Sequence, residues 1–338
     1  MRGTVRLPAS TETLPMTVNT LEYPLPQQLE VLAGLDGVVA ELIEAHEAKR
    51  RLWWPSDLIG PPEGEDPERH FAELRERARG IPDPVRISLV MGLLTEEGLP
   101  QFHRLIALHT PDSSQWRLWN NMWTAEEDRH GTILHDYLWE ARIVHPRVLD
   151  EMQFAYLKTG YNPDWQRDPY QLFAYTSMQE RATQVCHQNN AKRAGECDPI
   201  IARGLERVGA EEARHFHFYR QVFAEILPRD PDRALASLAR ALRLFEMPGG
   251  NIPTFPEMTD VIRRADLYGP RHFLKIVQDL IEYWNLPSLT DLGAMGREAQ
   301  DFILTYPARL ARIADHMEMK TRPKSFTFSL VGGRSFTV

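Results

Sequence analysis

Two short segments of this chain carry the side chains that could do its chemistry. Glu126–His130 and Glu211–His215 both read Glu-Glu-x-Arg-His, a pattern found at these two places. On a helix, residues three positions apart lie on one face, so the second Glu and the His of each segment present a carboxylate and an imidazole together. Such oxygen and nitrogen donors suit iron, and two helices of this kind could hold two ions between them. The two pairs are Glu127 with His130 and Glu212 with His215.

The hydrophobic spacing places both pairs on the apolar faces of their helices. Solvated polar pairs would lie on the opposite face. Charged groups on a core face are tolerated when they are paired or bind a metal, so this pattern indicates a cation. The apolar residues that continue the two faces are Trp116, Trp119, Trp123, Leu134 and Leu138 around the first pair, and Ile201, Leu205, Val208, Tyr219, Val222 and Ile226 around the second.

Two further carboxylates are needed to complete a di-iron site in a helical bundle, one from each of two other helices. Glu96 and Glu180 are the candidates. Spacing alone leaves Glu97 as an alternative to Glu96, and it also allows either candidate to be an ordinary carboxylate on a helix surface.

Composition narrows the class of protein. The chain has 338 residues, a net charge of -8 and two cysteines without Cys-x-x-Cys spacing. This predicts a protein that does not bind nucleic acid and has neither a disulfide framework nor a zinc knuckle. Because no apolar run is long enough to cross a membrane and no signal sequence is apparent, we expect a soluble, cytoplasmic protein.

Helical patterns dominate, which predicts an all-α fold that ends in a short β-hairpin. We expect an extended arm over residues 1–24, a helical domain over 25–318 and a tail with the hairpin over 319–338; Gly332 and Gly333 mark its turn. The predicted helices are Gln27–Arg51, Arg69–Arg79, Pro84–His109, Gln115–Ala141, His145–Lys158, Gln171–Ala194, Pro199–Leu227, Pro231–Phe245, Pro256–Ala265, Pro270–Trp284 and Gly296–His316.

Several segments resemble a known family. Leu94–Pro100, Trp123–Gly131, Tyr175–Thr183 and Glu211–His215 are similar, in this order, to segments of the soluble acyl-acyl-carrier-protein desaturases, the plant stearoyl type and its actinobacterial relatives. The resemblance runs from about Trp53 to the C-terminal hairpin. It implies a ferritin-like di-iron bundle with extra helices.

The resemblance also implies roles for individual residues. Thr183 would lie beside the metals on the oxygen side and act in catalysis, while Trp53, Glu126 and Glu211 would support the centre from outside the ligands. Glu211 stands where plant members usually have Asp. The implied ligands of two ferrous ions are Glu96, Glu127, His130, Glu180, Glu212 and His215.

A lipid tunnel beside the metals is implied as well. Leu172 replaces a common Gly, and Leu108 and His109 replace a Thr and a Leu, so acyl length and bond position do not transfer from the plant enzymes. The expected tunnel residues are Leu105, Leu108, His109, Leu172 and Phe173.

The implied activity is dioxygen-dependent insertion of a double bond into a fatty acyl chain on acyl carrier protein, with electrons from ferredoxin or a similar donor. Carrier proteins are acidic, so Lys49, Arg50 and Arg51 are a candidate docking patch, helped by Lys320, Arg322 and Lys324; ordinary solvated charges are the alternative. We also expect a homodimer, since one core could leave Trp116, Trp119 and Trp123 unused.

Other classes of protein make different predictions. Another di-iron oxygenase, either a hydroxylase or an N-oxygenase, is the main alternative, and an additional histidine ligand would favour the N-oxygenase. A non-catalytic relative that binds carrier protein would have lost ligands. The absence of histidine boxes and membrane spans excludes a membrane desaturase, and ferritin-like storage proteins are usually much shorter.

Overall fold

The computed structural model describes residues 25–161, 163, 168–319 and 322–338, so the predicted N-terminal arm and Lys320 lie outside the described residues. Fourteen α-helices and one two-stranded sheet form this part of the chain. They are α1 (Leu25–Ala33), α2 (Asp36–Lys49), α3 (Pro55–Ile59), α4 (Pro67–Ala78), α5 (Asp83–Glu96), α6 (Leu99–His109), α7 (Ser114–Ala141), α8 (Pro146–Thr159), α9 (Pro169–Ala194), α10 (Pro199–Ile226), α11 (Pro231–Arg243), α12 (Phe255–Arg264), α13 (Pro270–Tyr283), α14 (Ala294–Met319), β1 (Ser325–Thr327) and β2 (Ser335–Thr337).

Proline and aspartate define where the two longest buried helices of the second half begin. Asp168 accepts hydrogen bonds from the backbone amides of Tyr170 and Gln171 at the start of α9, and Asp198 accepts one from Ile200 at the start of α10. A proline follows each of these aspartates, in the first turn where its missing N–H costs nothing. These caps fix the register in which α9 and α10 present their side chains to the bundle.

Two of the predicted helices are wrong in extent because each is broken once. The segment 27–51 forms α1 and α2, with a turn at Gly34 and Leu35. The segment 84–109 forms α5 and α6, and the break after Glu96 falls just before Pro100, which cannot donate to the preceding turn. Gly98 lies at this break, where a Cβ atom would stand 2.9 Å from the Tyr156 hydroxyl, so the close approach of α8 requires glycine.

Four helices form the central bundle. The helix α9 packs along α10 and α5 packs along α7, while contacts of α7 with α10 and of α5 with α9 close the square. The helices α11, α13 and α14 cover one side of it. The all-α, ferritin-like prediction is therefore confirmed. The C-terminal hairpin is confirmed as well, with β1 antiparallel to β2 and Phe326 opposite Phe336.

The apolar faces predicted for α7 and α10 are the buried faces. Every residue predicted to continue them is at most 4% exposed. Trp116, Trp119 and Trp123 are 1%, 1% and 4% exposed, so this chain buries all three by itself and they give no support for a dimer interface. No helix in the described part of the chain has the length and apolarity needed to span a bilayer.

Candidate metal centre

The four bundle helices bring the six predicted ligands into two overlapping groups. In each group the potential ligand atoms lie within 4.8 Å of one another. Glu127 and Glu212 belong to both groups, which is the position of residues that could bridge two ions. The first group is Glu96, Glu127, His130 and Glu212, and the second is Glu127, Glu180, Glu212 and His215.

The side chains of Glu96 and Glu97 point to different places in the structure. Glu96 ends α5 and points into the first group. Glu97 accepts a hydrogen bond of 2.5 Å from Nε2 of Gln153 on α8, away from the other ligands. Glu180, on α9, is fully buried in the second group, so neither candidate is a surface carboxylate of the kind that spacing alone allowed.

Each histidine is held between a ligand carboxylate and an outer carboxylate from the other helix. His130 Nδ1 lies 3.2 Å from Glu127, while its Nε2 lies 3.0 Å from Glu211 on α10. His215 Nδ1 lies 2.8 Å from Glu127, while its Nε2 lies 2.9 Å from Glu126 on α7. A hydrogen bond at the far nitrogen fixes the tautomer and the ring orientation of a ligand histidine. Both imidazoles therefore offer Nδ1 to the centre.

Several donor atoms of the two ligand groups make no hydrogen bond within the described part of the chain, so they are available to a metal ion. Glu127 Oε1, Glu180 Oε2, Glu212 Oε2 and His215 Nδ1 are buried without a hydrogen-bond partner among the described residues. Buried polar atoms are normally satisfied, so this many in one place form a site that could hold a cation. A set of carboxylates and two imidazoles is the donor set of a bundle-core di-iron site.

Burial and crowding shift the protonation of these groups. Burial, together with the neighbouring Glu127 and Glu212 carboxylates, raises the pKa of Glu96 and that of Glu180 well above the usual value. Burial opposes protonation of the histidines, but their carboxylate contacts raise the pKa of His130 and that of His215 well above 6.5. Without metal the centre therefore holds protons at neutral pH, and an ion must displace them.

The two outer carboxylates have different partners. Glu211 receives Arg129 Nη2 at 2.6 Å and lies 3.1 Å from Arg214 Nη2, so two permanent positive charges surround it. Glu126 has both oxygens 3.0 Å from Nε2 of His46 on α2, and its one arginine neighbour, Arg50, is 3.6 Å away. Despite burial, the hydrogen bonds from His215 and His46 hold the pKa of Glu126 far below its usual range.

The two predicted supporting carboxylates thus contact the ligand histidines, whereas Arg129 and Glu211 stand between Trp53 and His130. The Trp53 ring lies 5.5 Å from the guanidinium carbon of Arg129, which in turn contacts Glu211. Trp54, 52% exposed, also lies against Arg129 at 6.0 Å. A line of contacts therefore runs from the surface through Arg129 and Glu211 to His130.

A small cavity lies against Glu96 and Glu127. Its volume is about 30 Å³, above the space that one water molecule needs. Thr183 lines it beside Glu96 and Glu127, and the Thr183 hydroxyl donates to the backbone carbonyl of Glu180 at 3.0 Å. The cavity has room for a diatomic molecule next to Glu127, which belongs to both ligand groups.

The predicted tunnel residues differ in burial: some lie in the core, one lines a pocket and one is exposed. Leu172 and Phe173 are buried in the core, and His109 is buried with Nδ1 2.7 Å from the carbonyl of Leu105. Leu105 lines an open pocket of about 270 Å³ between α6 and α8. Leu108 is 57% exposed on the outer face of α6, so its side chain does not line the buried interior of this chain.

The candidate docking residues lie at the end of α2. Lys49 and Arg51 are exposed. Arg50 is partly withdrawn, since its guanidinium bonds Glu47 at 3.2 Å and approaches the buried Glu126. Lys324 forms an ion pair of 2.8 Å with Asp260, so its charge is already partnered.

Three residues near the centre were missed by the sequence analysis. His46 contacts Glu126, and Trp123 donates its indole N–H to Glu180 at 3.2 Å. His187 Nε2 approaches Glu96 at 3.6 Å, and burial lowers the pKa of His187 to about 4. Trp123 lies four residues before Glu127 and His187 lies seven after Glu180, so helical spacing could have indicated both. No sequence signal relates His46 to α7, because their contact is long-range.

The positions of these histidines bear on the N-oxygenase alternative. That alternative called for an additional histidine among the ligands. His187 belongs to neither ligand group among the described residues. The donor set therefore gives the alternative no support.

Comparison with known sequences places the chain among fatty acid desaturases. Residues 27–332 match the profile of the family described as fatty acid desaturase. The chain is 31% identical to stearoyl-[acyl-carrier-protein] 9-desaturase 1 of Arabidopsis thaliana, over 91% of this chain and 83% of the relative. It is 30% identical to palmitoyl-[acyl-carrier-protein] 4-desaturase 3 of Ophrys sphegodes, over 87% and 78%. These relatives differ in acyl length and bond position, so neither property transfers to this chain.

The fold has a solved counterpart. DesA2 of Mycobacterium tuberculosis H37Rv, an acyl-ACP desaturase candidate, superposes with a TM-score of 0.60, over 80% of this chain and 99% of that chain. The two sequences are 20% identical, so this similarity supports the fold alone.

Proposed function

Because the chain belongs to the fatty acid desaturase family, we propose that it desaturates a fatty acyl chain carried on acyl carrier protein, using a di-iron centre. The balanced reaction joins the acyl chain, dioxygen, two electrons and two protons to give the unsaturated chain and two water molecules. The observation that carries the proposal is the pair of overlapping ligand groups that share Glu127 and Glu212 inside the bundle. Six donors with two imidazoles provide for two ions that lie close together.

The chain's own residues would bind the metal ions, orient the ligand histidines and exclude bulk water from the centre. When bound, two ferrous ions supply the reduction of dioxygen and the oxidising power that removes two hydrogens from neighbouring methylenes. Glu126 and Glu211 accept from the Nε2 atoms of the histidines and keep each Nδ1 directed at the centre. The cavity beside Thr183 is small and lined in part by Leu99 and Phe102, so it favours a diatomic molecule over bulk water.

Two neighbouring cavities would together form the path of the acyl chain. Phe102 lines the small cavity, and Tyr161 lines the 270 Å³ pocket that also contains Leu105. The two rings stack at 5.1 Å between the cavities. An acyl chain that used both spaces would have to displace this pair. Leu172 and Phe173 would then bound the buried part of the path and set its length.

The proposed partners are an acidic carrier protein and a one-electron donor such as ferredoxin. Lys49 and Arg51 are the exposed cations available to an acidic surface, since Arg50 is engaged by Glu47 and Glu126. The contacts from Trp54 through Arg129 to Glu211 offer a route from the surface to His130 for an electron. A homodimer remains an expectation, and light scattering at micromolar concentration would test it.

The activity test is direct. Iron-loaded protein is incubated with ferredoxin, ferredoxin reductase, NADPH, dioxygen and a panel of saturated acyl carrier proteins of different chain length, and mass spectrometry locates any new double bond. We expect one chain length to be preferred and the bond to fall at one position. A Glu212→Ala variant treated in the same way is the control for reactions that do not need the centre.

Two results would reject the proposal. One is iron-loaded protein that consumes electrons and dioxygen but leaves every acyl chain saturated. The other is an oxygenated product, a hydroxyl or N-oxide, formed in preference to the double bond, because it would indicate another di-iron oxygenase.

A further inference from the structure

We propose that His46 is a positioning residue for one half of the metal centre. Through Glu126 it holds the ring of His215 in the orientation that directs Nδ1 at the second ligand group. This inference rests on the proposed di-iron centre and adds a residue from α2, a helix that supplies none of the six ligands.

The first support is the geometry of the contact. His46 Nε2 lies 3.0 Å from Oε1 and 3.0 Å from Oε2 of Glu126, so one N–H is shared by both oxygens. Glu126 Oε2 lies 2.9 Å from His215 Nε2. His46 and Glu126 are 5% and 1% exposed, so water cannot readily replace either contact. Rotation of the Glu126 carboxylate would break bonds to both histidines at once.

The second support is an aromatic wall that holds the two imidazoles parallel. The His46 and His215 rings are parallel within 1° at 5.9 Å. Both stand edge-on against Trp119, at 5.4 Å and 6.2 Å, and Trp119 stacks on Phe218. This packing leaves the His46 ring little freedom, so its N–H is held where Glu126 needs it.

The third support is the contrast with the other half of the centre. Glu211 is fixed by Arg129 and Arg214, two charged groups that can replace one another. Glu126 depends on His46, since Arg50 is 3.6 Å away and shares its guanidinium with Glu47. Loss of His46 should therefore loosen the His215 half and leave the His130 half intact.

Replacing His46 should weaken the binding of one of the two ions and leave the other unchanged. Residues that orient a metal ligand from outside typically contribute 10- to 100-fold to affinity. We expect His46→Leu to bind one ion as the unchanged protein does and to bind the other about 10- to 100-fold more weakly. His46→Gln should retain both ions because its amide nitrogen can reach the place of Nε2. His46→Asn places its amide nearer Nδ1 and should behave like His46→Leu.

The experiment is an anaerobic Co²⁺ titration of the metal-free proteins, followed by visible absorption, with bound Fe²⁺ counted after dialysis by elemental analysis. His103→Leu is the matched control, since that half-buried imidazole on α6 bonds Thr124 and no ligand. Thermal melting of the metal-free variants reports whether each one is folded. The comparison of His46→Gln with His46→Asn holds polarity nearly constant, so it remains decisive even where His46→Leu is unstable.

A second arm tests whether the effect is local. Glu180→Ala removes a ligand that belongs to the His215 group alone. In that background His46→Leu should not change the affinity of the remaining ion. An additional loss there would show that His46 supports the whole bundle and would overturn the positioning role.

Two other results would overturn it. One is unchanged affinity for both ions in His46→Leu and His46→Asn. The other is equal weakening by His46→Gln and His46→Asn. Unmodified protein that binds fewer than two ions would reject the proposed function together with this inference. Two ions bound with the same affinities in the unmodified protein and in every His46 variant would reject the inference alone.

Discussion

The residues that would bind the metals are arranged in the same way on two helices, whereas the residues that support them from outside are not. On the ligand side, α7 and α10 contribute the same pair of residues three positions apart, and Glu127 and Glu212 enter both ligand groups. On the outer side, the two histidines again have equivalent carboxylates, but one is held by Arg129 and Arg214 and the other by His46.

This difference separates local from long-range determinants. The ligand pairs are equivalent because helical periodicity alone places residues i and i+3 on one face. The outer partners differ because they depend on which helices approach α7 and α10 from outside. Arg129 and Arg214 come from the repeated segments themselves, whereas His46 comes from α2, 80 positions from Glu126.

The largest effect should come from the residues that both ligand groups share. Glu127→Ala or Glu212→Ala should lose both ions, because each of these residues belongs to both groups. Glu96→Ala or Glu180→Ala should lose one ion, because each belongs to one group. Elemental analysis of anaerobically loaded protein measures the difference, and equal losses in all four variants would remove the distinction between shared and unshared ligands.

Removing the charge of Glu211 should lower the free energy of unfolding more than removing the charge of Glu126. Glu211→Gln leaves the guanidinium groups of Arg129 and Arg214, which are 11% and 17% exposed, without their anion. Breaking a buried pair in this way costs about 3 kcal/mol. Glu126→Gln leaves the N–H groups of His46 and His215, for which an amide oxygen is still an acceptor, and should cost about 1 kcal/mol. Urea unfolding of the metal-free variants checks the order, and a larger loss for Glu126→Gln would reverse it.

Acidity should weaken metal binding. The raised pKa values of Glu96, Glu180, His130 and His215 mean that metal-free protein holds protons which an ion must displace. Each displaced proton changes affinity about tenfold per pH unit, so affinity should fall by at least that factor per unit below neutral pH. Calorimetry in buffers of different ionisation enthalpy counts the protons released, and binding independent of pH would contradict these shifts.

The stability of the metal-free protein should fall as the pH rises, whereas its affinity for metal should increase. The two histidines have native pKa values above the unfolded value of about 6.5. Their contribution to stability is therefore complete below that pH and is lost as the pH rises through the raised native values. Metal-free protein should become less stable from neutral to alkaline pH, and urea unfolding at a series of pH values would detect it.

The smallest expected effect concerns substrate choice on the cavity side. Leu172 is buried, and the resemblance to the plant enzymes implies that it replaces a Gly there. One methylene in an apolar pocket changes specificity by about tenfold. Leu172→Gly should shift preference towards longer acyl chains or move the double bond, with iron content unchanged. An unaltered chain-length profile and product would remove Leu172 from the path.

Much of the fold follows from periodicity. The buried faces of α7 and α10, the helix starts at proline and the hairpin around Gly332 and Gly333 all depend on local patterns, and all were predicted. The break after Glu96 was missed because the apolar pattern continues across it. Gly98 and Pro100 mark the break in the sequence, and the close approach of Tyr156 from α8 leaves no room for a side chain at Gly98.

The site was predictable to the extent that its residues share a helix. Spacing alone predicted the two Glu–His pairs that the structure brings together, whereas the preference for Glu96 over Glu97 came from a family resemblance. Leu108 is exposed although its neighbour Leu105 faces a pocket, because the orientation of α6 follows from packing against α7 and α9. His46 could not be found, since its role depends on a contact between distant helices.

Anomalous diffraction at the iron absorption edge, on crystals grown from anaerobically iron-loaded protein, distinguishes a di-iron centre in the bundle from any other arrangement. We expect two peaks per chain, one within each ligand group and both between Glu127 and Glu212. A single peak, a zinc signal in place of iron, or a peak between His46, Glu126 and His215 on the outer side would contradict it, because those three residues also offer ligand atoms within 4.8 Å of one another.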